Sequence, residues 1–107
     1  NDAGLVRSVH SGDDLLGAAQ VLAKEIVENT APVSVALSRQ MLWRMLGASH
    51  PMEAHRAESR GILQRGKSVD AREGVMSFLE KRAANFTMKV STEMPNLFPD
   101  WQDPEFR

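Results

Sequence analysis

From Ser11 to Phe86 every long segment of the chain repeats its apolar residues at helical spacing, and the breaks between segments fall at Pro32, Pro51 and Gly66-Lys67-Ser68. Only Leu5-Val6-Arg7-Ser8-Val9-His10 alternates with period two, so it reads as a short β-strand. A single strand cannot satisfy its own backbone donors and acceptors. It would need a sheet lying outside this sequence. The fold class implied is all-α: about four helices preceded by a short orphan strand.

The first helix opens at Ser11-Gly12-Asp13-Asp14, with Asp13 as the expected N-cap and Asp14 in the first turn. Leu15, Ala19, Leu22 and Ile26 give it a wide apolar stripe. Asn29-Thr30-Ala31-Pro32 stops it, and Pro32 starts a second helix that should run to about Gly47. That helix carries Val33, Leu37, Met41, Leu42, Trp43 and Leu46 on more than one face, which implies burial on several sides. A third helix, Pro51 to about Arg65, is poor in large apolar residues. The fourth, about Val69 to Ala83, should bury Val75, Met76, Leu79 and Phe78.

Beyond Phe86 the period is lost. Leu97, Phe98, Trp101 and Phe106 lie among prolines, the pattern of an irregular tail ordered against another surface. The sequence therefore divides into 1–86, a helical region, and 87–107, an irregular C-terminal tail. The chain starts at Asn1 rather than Met, which reads as processing or excision from something longer.

Charge and composition exclude several functions. The formal net charge is −1, from 13 basic and 14 acidic residues, a balance that argues against a strong unspecific hold on nucleic acid or an electrostatic grip on anionic membrane. Basic side chains interleave with Glu53, Glu58, Asp70, Glu73 and Glu80, the pattern of a salt-bridged surface or interface rim. The absence of cysteine removes disulfides, thiolate metal sites and thiol nucleophiles. No apolar run approaches the roughly 18 residues of a spanning helix. With no signal peptide visible, a cytoplasmic location is expected.

No catalytic constellation stands out. His50 and His55 resemble a zinc-helix pair, but they are five apart and Pro51 intervenes, whereas helical ligands need a spacing of three or four. No metal site is expected. Asp13 and Asp14 are explained by capping, Ser34 and Ser38 have no neighbouring base, and no phosphate-cradling glycine motif is present.

One block is specific. Ser68-Val69-Asp70-Ala71-Arg72-Glu73-Gly74-Val75-Met76-Ser77-Phe78-Leu79-Glu80-Lys81-Arg82-Ala83-Ala84-Asn85-Phe86 resembles the terminal signature of the enoyl-CoA hydratase/isomerase family, the crotonase superfamily. Ala3-Gly4-Leu5-Val6 with Val9 is similar to that family's last strand, and Leu15-Leu16 to Asn29 with Ala31-Pro32 to its next helix and turn. The resemblance covers residues from about 3 to 86. It implies a C-terminal helical region that packs trimers, or dimers of trimers, and covers an acyl-CoA site. The parent reaction would be hydration or isomerisation of an enoyl-CoA in fatty acid metabolism, through an enolate held by an oxyanion hole that this chain lacks. The chain alone should be inactive, with coenzyme A thioester as the parent's substrate and no covalent cofactor.

The resemblance further implies that Phe78 and Lys81 reach a neighbouring subunit's CoA near its adenosine phosphate. A ring can stack on adenine, an ammonium suits a phosphate, and residues three apart share a helical face. Two departures stand out. The tail 87–107 has no counterpart in the signature, and Met41, Trp43 and Met45 make the second helix unusually bulky. Whether the family member is a hydratase, an isomerase or another enzyme of that scaffold is not legible, nor is its acyl specificity. The alternative is a free-standing helical interaction module with no enzymatic parent.

Overall fold

Among the described residues of the computed structural model, five helices in the order α1 (Gly12–Asn29), α2 (Pro32–Met45), α3 (Pro51–Gly66), α4 (Val69–Glu80) and α5 (Val90–Glu93) make up the regular structure. It describes residues 3–102 and 105; the expected tail residue Phe106 lies outside them. The chain divides into two compact units at the junction of Thr30 and Ala31.

In the first unit, Leu5–His10 forms no β-strand. A strand exists only through its ladder, and among the described residues no strand pairs with it, so the segment is irregular, with Ser8 Oγ and His10 Nε2 2.7 Å apart. The N-cap of α1 is Ser11, not Asp13. Ser11 Oγ accepts from the Asp14 N–H at 3.2 Å and donates to Asp14 Oδ2 at 2.7 Å. The side chain at the third helical position closes the cap, which places both aspartates in the first turn where the macrodipole favours them. No residue of α1 is fully buried, and Leu15, Leu16, Val21, Ile26 and Val27 are exposed.

The second unit is organised on one row of α2. Val33, Leu37, Met41 and Met45 recur every fourth residue; the first two are buried and the methionines pack against them. The opposite side is solvent-facing, with Leu42, Trp43 and Leu46 exposed, so burial on several sides does not hold within this chain. The helix ends at Met45, short of Gly47. Arg39 lies over the Trp43 ring at 5.9 Å, one turn away.

Small residues bring α3 close. Ala57 and Gly61 are its buried positions, one turn apart on the face turned to the core. The helix is capped by His50, whose Nδ1 accepts from the Met52 N–H at 3.0 Å. Ser68 caps α4 in the same way, accepting from the Ala71 N–H at 3.1 Å.

The structure corrects the expected face of α4. Asp70 and Ser77 are its buried residues, while Val75, Met76, Phe78 and Leu79 are exposed. The helix also stops at Glu80 rather than Ala83. After it, residues 85–88 run back along α4: the Asn85 N–H meets Glu73 near the middle of the helix, and the Thr87 and Met88 N–H groups meet Asp70 at its start. The buried apolar set of the unit is then completed from far along the sequence, by Leu97 and Phe98.

Candidate functional site

The C-terminal end of α4 carries both residues that the resemblance singles out. Phe78 sits in the last helical turn with its side chain 82% exposed. Lys81 comes directly after the helix in left-handed conformation, φ 53° and ψ 42°. Its N–H donates to the Phe78 carbonyl at 3.3 Å, and the Arg82 N–H donates to the Ser77 carbonyl at 3.0 Å. This pair of bonds is a Schellman closure, a position that usually holds glycine. The helix geometry behind the shared-face reading therefore ends one residue before Lys81, although the closing turn keeps Lys81 directly bonded to the Phe78 backbone.

A side chain held at positive φ costs about 1 kcal/mol or more against glycine. Lys81→Gly is expected to raise the unfolding free energy by about 0.5–1 kcal/mol, the relief of strain less glycine's larger unfolded-state entropy. Urea titration would read it, and an unchanged or lowered midpoint would contradict it.

Arg82 fixes the same turn. Its Nη1 and Nη2 grip Glu73 at 2.5 and 2.9 Å, and Nε meets Glu80 at 2.6 Å. Glu73 also accepts the Asn85 N–H at 2.7 Å. The Arg82 hydrogen bonds, with the Asn85 N–H second, hold the Glu73 carboxyl down from 4.5 to about 2. The Arg82 guanidinium is pushed up, chiefly by Glu73 and then by Glu80.

A depressed carboxylate pKa contributes stability that is present above its unfolded value and disappears as pH falls through the folded value. Glu73 should therefore lose its contribution between about pH 4.5 and pH 2. Thermal midpoints of Glu73→Gln should converge on those of the parent chain across that window. Parallel curves would show the pairing to be energetically silent.

Below this turn lies a polar node that sequence reading missed. Asp70, 2% exposed, accepts the Thr87 N–H at 3.1 Å and the Met88 N–H at 3.3 Å and pairs with Arg65 at 3.5 Å. Arg65 also donates to Ser34 Oγ and Met88 Sδ, both at 3.3 Å. Four parts of the unit meet at one guanidinium. The acidic residues at positions 70 and 73, on one face three apart, together with Arg82 beyond the helix, were the signal: carboxylates placed to catch the returning backbone.

A groove of about 420 Å³ lies between α2 and α3, with Leu37, Met41, Leu42, Ile62 and Leu97 among its walls and Glu58 and Arg65 at its edges. Neither Phe78 nor Lys81 lines it. Among the described residues, no three His, Cys, Asp or Glu side chains stand together as metal ligands, and no helix is long and apolar enough to cross a membrane.

No family model matches the chain. Among curated proteins, it is similar to Enoyl-CoA hydratase AKT3-2 and Enoyl-CoA hydratase ACTT3 of Alternaria alternata, each 38% identical over 79 residues. It is also 37% identical over 79 residues to Enoyl-CoA hydratase AFT3-1 of the same organism. The matched stretch is 74% of this chain and 26% of each relative, so the chain spans about a quarter of the length of the curated relatives it matches. By this likeness the chain is a relative of the enoyl-CoA hydratases, in keeping with a C-terminal helical region of a crotonase-superfamily member.

Proposed function

We propose that the chain is the C-terminal oligomerisation and acyl-CoA-site-covering region of an enoyl-CoA hydratase/isomerase-like enzyme of cytoplasmic fatty acid metabolism. The parent enzyme hydrates or isomerises an enoyl-CoA thioester, using no cofactor of its own, through an enolate held by groups elsewhere in that enzyme. This region contributes Phe78 and Lys81 to a neighbouring subunit's coenzyme A. The observation that carries the reading is the presentation of Phe78: a large ring left 82% exposed at a helix end, beside a lysine kept in a conformation that favours glycine. Such a ring offers a face for adenine, and the ammonium offers a point charge for a phosphate.

The test uses the full-length enzyme that contains this region. Phe78→Ala and Lys81→Ala should each raise KM for crotonyl-CoA about tenfold, equivalent to about 1.4 kcal/mol, with kcat little changed. Both effects should vanish with crotonyl-pantetheine, which lacks the nucleotide. KM values for crotonyl-CoA that do not move would sink the assignment.

Self-association belongs to the same reading. The exposed Leu42 and Trp43 of α2 with Leu46 just after it, and Val75, Phe78 and Leu79 of α4, are the surfaces assigned to partner subunits. Sedimentation of the chain should show concentration-dependent assembly, and a strict monomer at high concentration would count against it.

A further inference from the structure

Residues 96–101 are an irregular part of the second unit, yet they supply its largest fully buried side chain. Leu97 is 1% exposed and Phe98 7%. The segment has neither helix nor strand. Side-chain anchoring fixes it instead. Leu97 enters between α2 and α3 against Gly61, where a Cβ would stand 3.2 Å from Leu97 Cδ1. Arg60 Nε donates to the Leu97 carbonyl at 2.9 Å. Arg44 lies over both the Phe98 ring, at 4.7 Å, and the Trp101 ring, at 5.1 Å.

This is how a groove recognises a peptide segment: apolar anchors in a slot, one grip on the backbone, and a cation stacked on the flanking rings. The slot is also adaptable. Met41, Met45, Met88 and Met94 pack around the anchors, and unbranched thioether side chains re-pack readily about different occupants. Beside Leu97 the groove stays open over about 420 Å³. The internal hydrogen bonds of the segment, Phe98 N–H to Asn96 Oδ1 at 2.9 Å and Trp101 N–H to the Phe98 carbonyl at 3.1 Å, are made within it and travel with it.

We infer that the α2–α3 groove is a peptide-docking site for a turn-forming Asn-Leu-Phe segment, and that residues 96–101 are its resident ligand, held in cis and exchangeable for the same segment of a second copy. Residues 85–88 are tied to Asp70 and Glu73 and α5 packs against α2; the strap begins after α5. The groove thus has a built-in occupant whose release uncovers a Leu-Phe receptor on the unit.

Hydrogen exchange on the intact chain tests the release. The Phe98 and Trp101 amides should exchange at least about tenfold faster than the core amides of Leu37 and Ala57, because the strap opens without the helices. Equal rates would show it to be an inseparable part of the core and would overturn the inference. The second arm tests the receptor. In the full chain carrying Leu97→Ala and Phe98→Ala, a fluorescein-labelled peptide of residues 94–102 should bind saturably. The same peptide with both alanines should bind at least about tenfold more weakly. Equal binding of the two peptides, no binding, or loss of the helices in the double variant by circular dichroism would each overturn it.

Discussion

Replacing Asp70 with alanine is expected to cost about 3–5 kcal/mol of unfolding free energy, the range for stripping the partner from a buried ion. That is a large share of the roughly 5–15 kcal/mol that holds a domain together. Three groups would lose their acceptor together. The Thr87 and Met88 N–H groups would be left without a bond near the start of α4, and Arg65, whose side chain is 14% exposed, would keep its charge without its carboxylate. Asp70 also stands at the second position of α4, where a negative charge interacts favourably with the helix N-terminus.

Asp70→Asn separates these contributions. The amide oxygen can still accept from the returning backbone, so the variant should lose about half as much, chiefly the compensation of Arg65. Urea denaturation monitored by circular dichroism would read both. If alanine and asparagine each leave the midpoint within error of the parent, the node is not what joins α3, α4 and residues 85–88.

The helices were legible because their ends are written in local chemistry. Pro32 and Pro51 can begin a helix but not continue one, and Ser68 announces a cap; all three act at the predicted places. The errors arose where a local rule had two candidates or a distant residue decided the outcome. Ser11 and Asp13 are both good caps, and Ser11 won because the Asp14 carboxylate lies in reach of its hydroxyl. Leu5–His10 has strand chemistry without a ladder among the described residues.

On α4 the hydrophobic pattern predicted burial of Val75, Met76, Phe78 and Leu79, but apolar spacing alone does not decide which face this chain covers. Its own contacts bury the Asp70 and Ser77 side, while Phe78 faces outward. The candidate site was readable only as a resemblance, since no periodicity distinguishes a ring meant for a ligand from one meant for a core. The left-handed Lys81 was not readable at all, because nothing in Glu80-Lys81-Arg82 marks a helix end in the way glycine does. Leu97 and Phe98 showed themselves as residues too apolar for a free tail, yet the slot that takes them is built from Ala57 and Gly61, whose smallness carries no address.

Truncating Leu97 to alanine should lower stability by about 2–3 kcal/mol, toward the lower end of the range for buried leucines. Its side chain is 1% exposed and its slot is walled by helix backbone at Gly61, which cannot collapse onto a void, so the gross cost is high. A docked strap has an escape that a helix residue lacks. Once the penalty exceeds the free energy that seats residues 96–101, the segment lets go and the loss stops growing. Phe98→Ala introduced on top of Leu97→Ala should then add under about 0.5 kcal/mol, although each substitution alone costs several times that. Leu42→Ala, on a side chain 76% exposed beside the same groove, should stay within about 0.5 kcal/mol and serves as the surface reference. Strict additivity of the two tail substitutions would instead mean that Leu97 and Phe98 are held independently, and that the segment they share does not move as one piece.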